Sequence, residues 1–396
     1  MISRTGVSIH MRRKLEIRLR EPKVKPGVEL PWSAVVGGGA PAAAVEHASN
    51  QRAVARAVCA NLAHQQRARE PSERVEYLDG WRGLAILALL VGHFVNPFGF
   101  GSRLINAGRL GVELFFALSG LLIGQLLFVK RVGLAAFYRR RVSRLLPAFY
   151  CFLLFISIYL AWRGRRLDPH AMSSAIFFYY NYYATSRINY LPKEYGHVWS
   201  LCIEVHAYLA LSVIAVASRR WDFAPWRAIG ALAVLSWVSS CAYSALFHWD
   251  YYRVFWRTEP RVSAFLVAAG LTCWTHDTGR RLVLGWSWIG VFVAGILLQL
   301  AAVPDLLKYT LGSACLALAV THLSDAPTFV RNVLSFRLLT WLGVLSYSLY
   351  LWQQPFKELR GSAAGLMWLL PALISGSLSF YLLEDPARRW LNTHWN

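Results

Sequence analysis

Charge is what this 396-residue chain has little of: Asp, Glu, Lys and Arg make up 16% of it, where soluble globular domains carry about 25%. Acids are the scarcer sign, 21 against 42 Lys+Arg, which leaves a net charge of +21. Six cysteines (Cys59, Cys151, Cys202, Cys241, Cys273 and Cys315) are scattered singly, and none forms a Cys-x-x-Cys pair. That argues against a metal knuckle or a disulfide framework, and the cysteines read as small buried hydrophobes. No P-loop, Gly-x-Gly-x-x-Gly, His-Glu-x-x-His or Gly-x-Ser-x-Gly run stands in a fitting context. Nucleotide hydrolysis, hydride transfer and a serine-hydrolase triad therefore have no support, and no residues are spaced as metal ligands.

Apolar residues fill the space that charge vacates, at 56% of the chain with a mean hydropathy of +0.36. That composition belongs to a membrane protein. On a soluble chain the positive charge would suggest nucleic acid. Here the basic residues flank apolar segments, as the positive-inside bias expects, so the expected partner is a lipid bilayer and not a nucleic acid. Residues 1–75 stand apart, with a basic run (MRRKLEIRLREPK), a small-residue stretch (VVGGGAPAAA) and no apolar core of a signal peptide. They read as a disordered cytoplasmic tail, or as an over-extended start with Met11 as the alternative.

Residues 76–396 form the second expected domain. Apolar segments recur at 81–98, 110–129, 145–162, 200–218, 227–247, 260–275, 282–301, 308–323, 338–356 and 363–383. The expected fold is all-α, a polytopic membrane protein with about ten transmembrane helices. The aromatic stretch 171–185 reads as an interfacial helix, with an eleventh span as its rival. The loop holding Lys130, Arg131, Arg139, Arg140, Arg141 and Arg144 contains no acid and is expected in the cytoplasm, which puts both termini there. The loop 163–199 is basic yet falls on the outer side of this scheme. Its tyrosines (Tyr179, Tyr180, Tyr182, Tyr183, Tyr190 and Tyr195) suit either sugar stacking or an interfacial belt.

Ionisable residues inside apolar spans are costly and tend to mark function. Arg82 and His93 lie eleven residues apart in DGWRGLAILALLVGHF, on one helical face and roughly 16 Å apart along the axis. Glu113 and Glu204 are expected at the depth of His93, where a carboxylate could orient the imidazole in an acid/base set. The plainer alternative is a polar cluster tying three helices together. Arg141 and Arg144, three residues apart, could grip a phosphate bidentately or snorkel to headgroups.

Taken in order, these motifs resemble the membrane acyltransferase family 3, which includes bacterial O-antigen, Nod-factor and macrolide O-acyltransferases. The resemblance runs from about Tyr77 to Arg389. It rests on YLDGWRGLAILALLVGHF with Arg82 and His93, GVELFFALSG with Glu113 and Ser119, RVSRLLP with Arg141 and Arg144, and HVWSLCIEVHAYL with Trp199 and Glu204. SYSLYLWQQP with Tyr347 and Trp352 and the closing FYLLEDPARRW complete it. Glu113 stands where the family has Asp, Gln353 where it has His, and Val205-His206 where it has Glu-Gln.

The resemblance implies an enzyme of the bacterial inner membrane that moves an acyl group, most often acetyl, from acyl-CoA as co-substrate. The acceptor would be a hydroxyl of a carbohydrate or lipid-linked glycan, and no bound cofactor is implied. His93 would be the general base. Arg82, Arg141 and Arg144 would hold the CoA phosphates, with Ser119, Trp199, Tyr347 and Trp352 in support. Two other readings compete, a polytopic transporter using intramembrane His, Glu and Arg and a non-enzymatic membrane scaffold.

Overall fold

The structure, a computed structural model, describes residues 75–95, 107–185, 187, 191–246, 251–359 and 365–395. The basic tail therefore lies outside the described residues, apart from Val75. Every regular element among the described residues is helical.

The chain runs through α1 (Glu76–Phe94), α2 (Ala107–Gly124, prolonged by a π turn to Val129), α3 (Leu134–Trp162), and the short α4 (Pro169–Ile176) and α5 (Tyr180–Thr185). Next come α6 (Val198–Trp221), α7 (Pro225–Cys241), α8 (Tyr251–Trp256), α9 (Thr258–Arg261) and α10 (Ser263–Thr278). The last are α11 (Ser287–Leu297), α12 (Ser313–Thr321), α13 (Thr328–Leu334), α14 (Arg337–Leu359), α15 (Gly365–Ser379) and α16 (Asp385–His394).

Each of the ten apolar segments falls at least in part on a helix, but among the described residues five helical stretches are long and apolar enough to cross a membrane. They are Ala107–Val129, Leu134–Trp162, Lys193–Trp221, Pro225–Ala245 and Gly365–His394. A sixth is added if α13 and α14, bent by 56° at their junction, count as one. The expected count of about ten is not reached by this measure, for a simple reason. At 1.5 Å per residue a crossing of about 30 Å needs roughly 20 residues, and α10 and α11 have 16 and 11. α1 has the length but carries Glu76, Asp79 and Arg82 in its first two turns. The stretch 171–185 forms two helices of 8 and 6 residues, too short for an eleventh crossing.

Burial sorts the long helices. The apolar window of α2 is 67% buried, which makes it an inner helix, whereas those of α7 and α15 are 22% buried. α15 turns Leu366, Met367, Leu370, Ile374 and Leu378 outward in a helical stripe, as a lipid-facing surface requires. On the inside, α1 packs between α2 and α14. Its close approach to α14 depends on glycine: a Cβ on Gly83 would lie 1.9 Å from the Leu339 carbonyl oxygen, and one on Gly343 1.8 Å from that of Asp79. Small residues at such crossings let membrane helices meet backbone to backbone. Of the five described cysteines, all free, only Cys202 and Cys273 are fully buried.

α4 is started by Asp168, whose side chain accepts from the backbone N–H groups of His170 (2.9 Å) and Ala171 (3.3 Å) and from the Tyr183 hydroxyl (2.6 Å). The Tyr183 bond, with those amides, holds the Asp168 carboxyl below its usual value. A carboxyl lowered in the folded state stabilises above its unfolded pKa, and the contribution is lost as pH falls through the lowered one. Asp168→Ala should therefore cost about 1 kcal/mol at neutral pH, the usual worth of an N-cap. The deficit relative to wild type in thermal unfolding should shrink in acid. An equal deficit at all pH values would remove Asp168 from that role.

Candidate active site

Two cavities lie along α1, one near its start and one near its end. The first is a cleft of about 80 Å³ lined by Arg82 of α1, Ser119 of α2, Arg141 and Arg144 of α3, Glu204 and Tyr208 of α6, and Tyr347 of α14. The second, of about 480 Å³, is lined by His93 of α1, Arg109 of α2, Lys193, His197, Trp199, and Gln354, Lys357 and Glu358 of α14. Val112 and Tyr350 line both, so the cavities adjoin there. Tyr350 is fixed in that position. Its hydroxyl donates to the His197 carbonyl at 2.8 Å and lies 2.5 Å from the Ser200 hydroxyl.

The first cleft gathers three guanidinium groups against one lining carboxylate. Arg82 Nη1 is 2.7 Å from Asp79 Oδ1, one turn before it on α1, which aims the side chain along the helix. Arg141 lies over the rings of Phe137 (5.7 Å) and Tyr208 (5.5 Å), a cation–π setting that holds the charge without neutralising it. Its Nε is buried and has no hydrogen-bond partner among the described residues. Glu204 accepts from the Ser119 hydroxyl at 3.0 Å and from the Tyr208 hydroxyl. The Tyr347 hydroxyl donates to the Leu145 carbonyl at 2.8 Å, pinning α14 to α3 beside Arg144. Clustered guanidinium groups favour phosphate, which they can meet bidentately.

In the second cavity His93 Nδ1 lies 2.6 Å from Gln353 Oε1. The Gln353 amide nitrogen donates to the Tyr350 carbonyl at 3.3 Å, so its oxygen is the atom turned toward the ring. An amide oxygen only accepts, hence Nδ1 carries the proton and the lone pair of the neutral imidazole is on Nε2. That tautomer is the one a proton acceptor at Nε2 needs.

The expected set of one imidazole and two carboxylates is not assembled. Glu204 lines the other cavity because it lies seven residues past His197 along α6, roughly 10 Å deeper. Glu113 lines neither cavity. On α2 the cavity-lining residues include Arg109, Val112, Phe115, Phe116, Ser119 and Leu122, spaced by three and four, and Glu113 is turned to another face. There Glu113 is fully buried in an ion pair with Arg261 and accepts from the Ser313 hydroxyl at 2.9 Å. Trp352 also lines neither cavity and packs against Phe152 and Phe155 of α3 at 5.5 and 5.0 Å. Among the described residues no three His, Cys, Asp or Glu side chains are grouped as metal ligands.

Sequence reasoning passed over Arg261, His197 and Tyr350. His197 stands two residues before Trp199 in the quoted HVWSL run, and Tyr350 one turn before Gln353, so both were near a visible motif. Arg261 lies in a short helix outside every motif.

A family model described as "Acyltransferase domain", of the acyltransferase 3 type, matches residues 75–359. The chain is 25% identical over 353 residues to the peptidoglycan O-acetyltransferase OatA of Listeria monocytogenes, covering 80% of this chain and 56% of that protein. It is 26% identical over 351 residues to the O-acetyltransferase OatA of Staphylococcus aureus, covering 79% and 57%. The chain thus spans a little over half the length of these relatives. No solved structure matches it.

Proposed function

The chain belongs to the acyltransferase 3 family of multi-pass membrane enzymes that transfer acyl groups, and we propose that it acetylates a hydroxyl of a peptidoglycan-type glycan with acyl-CoA as donor. The observation that carries this reading is the pair of adjoining cavities, with Arg82, Arg141 and Arg144 in one and His93 in the other. The guanidinium groups hold the CoA phosphates. The pantetheine arm passes between Val112 and Tyr350 and delivers the thioester toward His93, roughly 16 Å from Arg82 along α1.

The acceptor hydroxyl enters the second cavity. His93 Nε2 takes its proton while the hydroxyl oxygen attacks the thioester carbonyl carbon. The C–S bond then breaks, the acyl ester forms, and the CoA thiolate collects a proton to leave as free CoA. Gln353 keeps the imidazole in the working tautomer. In this chain an amide does that work, and neither Glu113 nor Glu204 is needed beside His93. Glu204 instead orders the donor cleft with Ser119 and Tyr208.

The basic segment Lys130–Arg144 then faces the cytoplasm, where acyl-CoA is found, and the second cavity opens toward the far side of a bacterial inner membrane. Both termini are cytoplasmic in this arrangement, and the shorter helices α10 to α12 complete a set of about ten crossings. Purified protein in lipid vesicles, given acetyl-CoA and a peptidoglycan disaccharide, should release free CoA and form an ester in equal amounts. Absence of CoA release with every glycan acceptor would overturn the reading.

A further inference from the structure

The second cavity contains a group that the reaction above leaves unused. The His197 side chain is only 6% exposed, it lines the cavity, and neither ring nitrogen has a hydrogen-bond partner among the described residues. Aromatic rings pack against it: Phe152 and Tyr350 meet the ring edge-on at 5.5 and 5.1 Å. Its backbone is held as well, the carbonyl accepting from Tyr350 at 2.8 Å and from the Ser200 hydroxyl at 3.3 Å. Packing alone would be served better by an aliphatic side chain, because a buried donor and acceptor left unpaired carry a desolvation cost. What remains unsatisfied is one N–H and one lone pair. A sugar hydroxyl, or two neighbouring ones, supplies the complement of both.

We propose that His197 is an acceptor-binding residue, hydrogen-bonded to a hydroxyl other than the one that is acylated. The acceptor class that follows is a polyhydroxylated glycan and not a simple alcohol. The inference rests on the reading above, in that it needs the acceptor in the second cavity. It adds a recognition contact separate from His93 and from the donor cleft.

The test is steady-state transfer from acetyl-CoA to an N-acetylglucosamine–N-acetylmuramic acid disaccharide by wild type, His197→Leu and His197→Gln. His197→Leu should raise the acceptor KM at least tenfold and leave the donor KM within twofold. Its Tm should be unchanged or higher, since an unpaired polar group has been removed. His197→Gln, which again offers a donor and an acceptor, should recover part of the acceptor KM. An unchanged acceptor KM in an active His197→Leu enzyme overturns this inference and leaves the acyltransferase reading standing. So does a lowered Tm in both variants with donor and acceptor KM shifted together, the mark of a structural histidine. A wild type that acylates neither the disaccharide nor any other glycan acceptor overturns both.

Discussion

His93→Ala should lower kcat for acyl transfer by about 10²- to 10⁴-fold, the usual worth of a positioned general base. Binding of CoA should be unaffected. The loss falls on kcat because Nε2 acts only as the hydroxyl is attacked, while the guanidinium groups line a different cavity. The fold should survive, since His93 is half-buried near the end of α1 and the residues that pack that helix, such as Trp81, Ile86 and Leu89, are untouched. Gln353→Leu should give a smaller loss in the same parameter. It removes the acceptor 2.6 Å from Nδ1 and lets the ring adopt the tautomer whose Nε2 is protonated. Free CoA and ester product, measured in a single turnover, read both effects. A His93→Ala enzyme with near wild-type turnover would exclude the imidazole from the reaction.

Arg261→Leu should cost about 3–5 kcal/mol of stability, the usual penalty for leaving one member of a buried ion pair uncompensated. Both Arg261 and Glu113 have fully buried side chains. The guanidinium lies 4.0 Å from the Tyr309 ring centroid and 4.5 Å from that of Phe255, and the carboxylate is bonded to Ser313. This cluster ties α2 to α9 and α12 and leaves the charge of Glu113 without access to water when Arg261 is removed. The double variant Glu113→Leu with Arg261→Leu should recover most of the loss, because replacing both charges by apolar groups is close to neutral. Thermal unfolding of wild type, Glu113→Leu, Arg261→Leu and the double variant in detergent gives the coupling. Additive losses in the double variant would contradict the pairing.

How much of this was legible in the sequence depended on the distance over which each feature is decided. Arg141 and Arg144 are three residues apart and share a cleft with Arg82, as their spacing suggested. Arg82 and His93 share a helix, and their eleven-residue separation is enough to place them in two cavities. The positions of all ten apolar segments were visible as composition. Their sufficiency for crossing was not, since composition does not show where a helix ends, and α10 and α11 stop at 16 and 11 residues.

The carboxylates failed for a different reason. Where a span begins does not fix the depth of a side chain, and an offset of two turns puts Glu204 in the cleft of Arg82 and not beside His93. A single step of helical phase, Val112 to Glu113, turns a carboxylate from a cavity wall into the core. Gln353, 2.6 Å from His93 Nδ1, lies 260 residues away on α14, a helix that glycines let approach α1 backbone to backbone and that no local pattern places there. Gln353 was visible in the sequence only as a departure from a family pattern; in the structure its amide oxygen faces the His93 ring.

The central claim is that donor phosphates are held in one cavity and the proton is taken in the other. Titration of CoA into wild type, Arg144→Ala and His93→Ala, each in the same lipid vesicles, tests it most directly. A charge-assisted hydrogen bond is worth about 1.5–3 kcal/mol, so Arg144→Ala should weaken CoA binding roughly tenfold or more, while His93→Ala binds like wild type. Equal affinity for CoA in wild type and Arg144→Ala would contradict the account.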